Sequence, residues 1–132
     1  MMDFTSFSPL GIVIAALAAF GFGFAWHRAL EKPWMTASGY GGRPALKLGP
    51  LAIVFLAELV MAAALAGIVG HIGAVTVGNA LITGILAWAG FILTTIVIDH
   101  SYEARSRKLT YLNAGHWFGV IVIMSVVIGL FG

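Results

Sequence analysis

The sequence predicts an all-α integral membrane protein with four transmembrane helices in an antiparallel bundle. Its 132 residues are 61% hydrophobic and only 9% charged, with a mean hydropathy of +1.02. A soluble domain carries roughly a quarter charged residues, so these charges are too few to cover a globular surface. Four apolar runs follow one another along the chain, and all the lysines and arginines lie in two of the connecting segments.

The four apolar runs predict helices at about residues 9–27, 51–71, 78–99 and 110–131. At 1.5 Å per residue such runs extend about 26–33 Å, which matches a hydrocarbon core of roughly 30 Å. They must be helices because lipid cannot satisfy the backbone of an open strand. We therefore expect one transmembrane domain over residues 1–132, made of two helical hairpins that are joined by a short turn around Gly73.

The distribution of the cations predicts the orientation of the bundle. All seven lysine and arginine residues fall in segments 28–50 and 100–109, and the two termini and the second loop contain none. The positive-inside rule then places these two loops in the cytoplasm and both termini outside, in a multi-pass membrane protein. The N-terminal "MMDFTSFSPLG" has neither a basic residue nor a cleavage pattern after it, so we expect the first helix to stay in the mature protein.

Several functional classes are not indicated. There is no cysteine, which excludes disulfides and thiolate metal sites. No nucleophile–base pair, phosphate-binding loop or hydrolase motif is present, so neither an enzymatic activity nor a cofactor is predicted. The glycine-rich "GYGG" at 39–42 lacks the lysine of a nucleotide site and indicates a flexible loop. Membrane lipid is the expected partner, and nucleic acid is not.

Polar residues collect in the cytoplasmic third of the predicted bundle. Glu58 interrupts the apolar stretch "FLAELVMAAAL", about 10 Å along a helix that begins at the cytoplasmic side. His116 lies at a similar depth of about 8–9 Å in the fourth helix, and Asn113 shares its face. The candidate path for a proton, ion or solute combines these with residues at the helix ends: Glu58, His116, Asn113, His27 and Asp99. His100 lies at the same level.

Three interpretations of Glu58 are open. An ionised carboxylate at this depth costs at least a few kcal/mol, so Glu58 must be neutral, paired or facing water. We expect it to face the bundle interior or a protomer interface within hydrogen-bonding reach of the fourth helix. It then either fastens two helices through Asn113 or His116, or lines a path for a proton, ion or small solute. A metal or haem between two histidines is the third interpretation, but no ligand spacing supports assigning a metal ligand.

Small residues predict close helix packing. In the first helix Gly11, Ala15, Ala19 and Gly23 recur at every fourth position, which lets a neighbouring backbone approach closely. The other helices carry similar patterns: Ala63, Gly67 and His71; Ala80, Gly84 and Ala87; Gly115 and Gly119. The packing lies within the protomer or between protomers. Four short helices in one protomer leave little room for both a pathway and the helices that must enclose it. We therefore expect a homo-oligomer, from dimer to tetramer.

Aromatic residues near the predicted cytoplasmic helix ends are expected to form an interfacial belt: Trp26, Trp34, Tyr40, Tyr102, Tyr111 and Trp117. His71, at the opposite end of the bundle, is expected to be interfacial as well. The glycines and prolines of the first loop exclude a long continuous helix there.

Four segments resemble a bacterial membrane family known as domain of unknown function 1761: "FGFAWHRALEKPWM", "AELVMA", "WAGF" and "LNAGHWFGVIVIMSVVIG". The resemblance covers nearly the whole chain in the same order. The family has Trp-Tyr at the end of the first helix, where this chain has Trp26 and His27, and a phenylalanine- and glycine-bearing link where this chain reads "ALEKP". The resemblance implies a four-helix inner-membrane protein and supplies no activity. The leading hypothesis is a small homo-oligomeric membrane protein that passes or couples a proton, ion or solute; the alternative is a structural or regulatory protein.

Overall fold

The computed structural model describes residues 8–39 and 47–132, and this part of the chain is entirely helical outside its turns. The segments are, in chain order: α1 (Pro9–Ala29), α2 (Glu31–Ser38), α3 (Leu48–Ile72), α4 (Val77–Ala87), a π-helical segment (Trp88–Leu93), α5 (Thr94–Tyr102) and α6 (Arg107–Phe131). The α4, π-helical and α5 segments follow one another without a break and form one long helix, Val77–Tyr102.

Four helices are long and apolar enough to cross a membrane: α1, α3, Val77–Tyr102 and α6. The all-α class is therefore confirmed, and the four long apolar helices have ends within three residues of the predicted spans. The side of the membrane that each end faces stays a prediction.

Serine side chains cap the N-termini of α1 and α6. Such caps mark the first residue of a helix more closely than hydrophobicity does. Ser8 accepts a hydrogen bond from the amide of Gly11 at 3.2 Å, and Ser106 accepts one from Leu109 at 3.3 Å. These side chains satisfy amides that have no partner inside the helix. Because Ser106 caps α6, the helix takes in the charged Arg107 and begins three residues before the predicted position 110.

The first loop contains a short helix that the glycine and proline pattern does not reveal. Helix α2 is only eight residues long and carries Pro33 in its first turn, where a proline removes no helical hydrogen bond. It ends at Gly39, whose φ of 79° is left-handed. The hydroxyl of Ser106 donates to the carbonyl of Ala37 at 3.0 Å, which joins α2 to the start of α6. Tyr40, Arg43 and most of the "GYGG" segment lie outside the described residues.

The π-helical segment docks the third span onto α6. The indole of Trp88 donates to the backbone carbonyl of Ala114 at 3.0 Å, and its ring lies edge-on to Phe118 at 4.9 Å. Directly after the segment, the hydroxyl of Thr94 donates back to the carbonyl of Gly90 at 2.8 Å. In a π-helical segment the pattern of backbone hydrogen bonds differs from that of the flanking α-helix. A threonine hydroxyl gives one of the carbonyls there an additional hydrogen-bond donor.

The small-residue ridge of α1 lies inside the chain. All four residues are buried: Gly11 faces Phe131, Gly23 faces His116, and Ala15 and Ala19 are fully enclosed. The ridge receives α3 and α6 of the same protomer and offers no surface to a second copy. The oligomer was predicted partly from this ridge, and that support is lost because the intramolecular packing already covers it.

The outer face of α3 is different. Ala63 is exposed, and a β-carbon at Gly67 would meet no neighbouring atom within 4 Å. His71 continues this line and is also exposed. Of the small-residue patterns read from the sequence, this one is left uncovered by the protomer.

A pair of matched substitutions tests which face is internal. Ala19→Leu adds bulk to a fully enclosed site and is expected to destabilise the fold by about 1–3 kcal/mol through overpacking. Ala63→Leu makes the same change in mid-helix at an exposed site and is expected to leave folding intact. Loss of helical circular dichroism during denaturation in mixed micelles measures both. Equal stability of the two variants would contradict the packing described above.

Candidate functional site

His116 lies in a cluster of rings between α6 and α1. The residue is only 7% exposed. The ring of Phe22 lies parallel to the imidazole, with centroids 6.0 Å apart and an interplanar angle of 9°. The ring of His27 is at 5.0 Å, that of Trp26 at 6.5 Å, and that of Trp117 at 4.7 Å. We call Phe22, Trp26, His27, His116 and Trp117 the aromatic cluster.

Glycines provide the space for this cluster. A β-carbon at Gly23 would lie 3.1 Å from Nε2 of His116, and one at Gly119 would lie 2.3 Å from the Phe22 ring. Gly115 in the same way faces the indole of Trp26 at 3.2 Å. Each glycine thus stands opposite a ring on the facing helix. The glycine pattern read from the sequence therefore serves to seat aromatic side chains as well as to bring backbones together.

Glu58 is buried on α3, with 2% of its surface exposed. It is the eleventh residue of α3 and His116 is the tenth of α6; the two helices have the same length of 25 residues. The prediction that Glu58 faces the bundle interior is confirmed. The hydrogen bond expected to α6 is absent, since Oε2 of Glu58 has no partner among the described residues, and neither has Nε2 of His116.

The other predicted path residues have different environments. His27 belongs to the aromatic cluster, and its ring also meets Trp34 edge-on at 6.3 Å. Asn113 is half-buried on α6. Asp99 is exposed near the end of α5, so it does not join the buried groups. His100 is engaged elsewhere, with Nδ1 at 2.7 Å from the hydroxyl oxygen of Thr110.

The expected aromatic belt divides into two sets. Tyr102 and Tyr111 are 90% and 71% exposed, as an interfacial position requires. Trp26 and Trp117 pack against His116 instead, and Trp117 also contacts the buried core. Proximity to a helix end does not separate the two roles, because the direction of the side chain around the helix decides between them.

Two further observations concern ligands and missed residues. The described part of the chain contains no group of three or more histidine, aspartate or glutamate side chains that could hold a metal ion. Sequence reasoning missed Ser125, whose Oγ is fully buried and lacks a partner in the described residues. In the sequence, Ser125 could have been noticed as a polar residue within the apolar run of the fourth helix. Its close approach to Gly84, where an added β-carbon would overlap Oγ, is visible only in the structure.

The arrangement therefore holds two titratable side chains away from water on two different helices. A carboxyl and an imidazole in this setting can each hold or release a proton, and each has a free site on a buried atom. Buried polar atoms usually find a partner, so each exception calls for an explanation such as a proton, an ion or a water molecule.

Comparison with known protein families gives a match over most of the chain. The profile of a family described as protein of unknown function (DUF1761) matches residues 10–129, nearly the whole chain. No curated protein and no solved structure matches.

Replacing Glu58 with leucine distinguishes a glutamate that holds two helices together from one that is kept for another function. An unpartnered buried carboxyl lowers stability by about 1–3 kcal/mol, so Glu58→Leu is expected to raise the midpoint of thermal unfolding in detergent. A glutamate that fastens helices gives the opposite result. Asp99→Asn, at an exposed position, serves as the control and is expected to leave the midpoint unchanged. A lower midpoint for Glu58→Leu alone would show that the carboxyl holds the bundle together.

Proposed function

The chain belongs to the DUF1761 family, and we propose that it is a membrane protein that passes or couples a proton, with Glu58 and His116 as the groups that hold it. The observation that carries the proposal is the pair of buried atoms, Oε2 of Glu58 and Nε2 of His116, which lack partners in the described residues. Ionisable side chains inside a membrane span are costly, and they commonly mark substrate or proton pathways.

The packing around His116 favours a proton over a larger solute. Phe22 stacks on one face of the imidazole, and Gly23 approaches Nε2 closely enough that an added β-carbon would lie at 3.1 Å. A hydrated ion needs a pore, whereas a proton needs only a chain of hydrogen-bonding groups and ordered water. The enclosed position of His116 is compatible with such a chain.

We place the steps of the transfer as follows. The protonated carboxyl of Glu58 gives its proton to a water molecule, and the hydronium formed gives it to Nε2 of His116, which leaves a carboxylate, a neutral water molecule and an imidazolium. The imidazolium then releases a proton from its other nitrogen, through water, to the imidazole of His27, whose ring lies 5.0 Å from that of His116 and which stands in the last turn of α1. A new proton on Glu58 returns the path to its starting state. An imidazole accepts a proton on one nitrogen and releases one from the other, so histidine is suited to this role.

A structural or regulatory function is the second candidate, and one observation favours it. The aromatic cluster fills the contact between α1 and α6 within one chain, as expected of a residue set that only stabilises the bundle. In that case neither Glu58 nor His116 needs to change its protonation state.

Homo-oligomerisation is also part of the proposal. Its support is the uncovered line of Ala63, Gly67 and His71 on the outer face of α3, since small residues favour helix association in lipid. Ala63→Leu is then expected to lower the native mass of the detergent complex to that of one protomer. A parent protein that is already monomeric would remove this part of the proposal.

Proton flux into liposomes tests the main proposal. Glu58→Gln keeps the shape of the side chain but cannot titrate, and His116→Phe keeps a ring in the aromatic cluster without a nitrogen. We expect both variants to fold and to reduce the flux, followed by an enclosed pH-sensitive dye, to the level of empty liposomes. Glu103→Gln is the matched control, because this glutamate is exposed directly after α5 and lies outside the aromatic cluster and the uncovered line on α3.

Two outcomes of the flux measurement would contradict the proposal. One is a parent protein whose liposomes are no more permeable to protons than empty ones under an imposed pH gradient and membrane potential. The other is a Glu58→Gln variant with the flux of the parent. In either case the structural function is preferred.

The orientation is proposed from the cations of the two loops, and the inner-membrane location from what the family resemblance implies. Reporter fusions at Gly132 are expected to show activity typical of the outer side, and fusions at Ser106 activity typical of the cytoplasm. A cytoplasmic Gly132 would reverse the orientation and place Glu58 nearer to the outer face.

A further inference from the structure

A cleft of about 520 Å³ lies between the end of α5 and the start of α6. Its polar lining residues come from both sides: His100, Ser101, Arg105, Arg107, Thr110 and Tyr111. No acidic residue is among the residues that line it. The cleft therefore joins two guanidinium groups with hydroxyl groups and an imidazole, all of them groups that donate hydrogen bonds to anions.

The two walls of the cleft are tied together. Nδ1 of His100 lies 2.7 Å from the hydroxyl oxygen of Thr110, which connects α5 to α6 across its base. The turn is tight, with the amide of Arg105 donating to the carbonyl of His100 at 2.9 Å and Ala104 at a φ of 54°. A tied cleft presents its donors in a fixed arrangement, so little ordering is needed when a ligand binds.

The charge of the cleft is only partly compensated within the described residues. Nε of Arg105 is 3.1 Å from Glu103, which lies outside the lining and accounts for one of the two cations. Arg107 has no acidic partner in the described part of the chain. A guanidinium presents a planar fork of donors that matches the oxygens of phosphate.

The position of the cleft indicates where the phosphate comes from. It lies where two membrane spans, Val77–Tyr102 and α6, end and begin. Val97 lines it on the apolar side and is 44% exposed, and Tyr111 is 71% exposed. The Val77–Tyr102 span is also the least buried of the four, so its surface is open to acyl chains.

From these observations we infer that the cleft binds a phosphate group, with the headgroup of an anionic phospholipid as the favoured source. The phosphate lies between Arg105 and Arg107, and an acyl chain follows the exposed surface of α5 past Val97. Basic clefts between helices at the membrane boundary are suited to such headgroups. The site depends on side chains, because Ser106 already caps the first turn of α6.

Native mass spectrometry of the full chain in detergent tests the inference. The protein is mixed separately with phosphatidylglycerol, phosphatidylcholine and glycerol 3-phosphate. We expect phosphatidylglycerol to be retained in preference to phosphatidylcholine. Arg107→Gln is expected to weaken retention by about tenfold, since it removes a charge-assisted hydrogen bond. Lys108→Gln is the matched control, because Lys108 is the adjacent exposed cation and does not line the cleft.

Thr110→Val provides a second variant that keeps the charge but removes the tie to His100, and it is expected to weaken retention as well. Circular dichroism confirms that each variant is folded. Binding of glycerol 3-phosphate without phosphatidylglycerol would uphold the phosphate site and identify a soluble ligand. Two outcomes would overturn the inference. Equal losses of retention in Arg107→Gln and Lys108→Gln would show that diffuse charge explains the binding. Equal retention of the two lipids, without binding of glycerol 3-phosphate, would show that hydrophobic contact explains it.

Discussion

The close approach of α1 and α6 is the contact on which the rest of the structure depends. It is made by glycines that stand opposite rings, with Gly23 facing His116, Gly119 facing Phe22 and Gly115 facing Trp26. In lipid, helices associate through van der Waals contact and not through the exclusion of water, so the fit of such surfaces determines which helices meet. This contact brings the first and last spans together and encloses His116. The second and third spans then pack against this pair, with Ala62 and Ala80 fully buried.

Much of this architecture was predictable, because lipid imposes simple rules. A long apolar run must be helical, which gave the four spans to within three residues. The burial of Glu58 followed from the cost of exposing a carboxyl to hydrocarbon. The caps were also visible in principle: Ser8 and Ser106 each stand directly before a helix and accept from an amide three residues later. The predicted start of α6 was three residues too late, because hydrophobicity does not reveal a first helical turn that is charged.

The rest required the three-dimensional structure, for physical reasons. A stripe of small residues favours close packing equally well within a chain and between chains. The sequence therefore did not show that the Ala15 and Ala19 ridge is internal while the line through Ala63 and Gly67 is left uncovered by the protomer. The aromatic residues near helix ends posed a similar problem, because Trp26 and Tyr111 differ in direction and not in depth. The π-helical segment was not predicted, because no local sequence pattern marks it. Its Trp88 donates to the carbonyl of Ala114, a residue on another helix, and such a long-range contact is not visible in the sequence.

The same packing explains why the candidate site is enclosed while its polar atoms lack partners. Rings and glycines surround His116 closely, and none of the described residues forms a hydrogen bond with Nε2. Glu58 is only 2% exposed, and its Oε2 has no partner among the described residues. In the proposed proton path the partner of these two atoms is a water molecule or the transferred proton. A bundle that only needed stability would gain from apolar side chains at both positions, and the two titratable groups kept in so closely packed an interior are the ground on which proton chemistry is proposed here over a purely structural role.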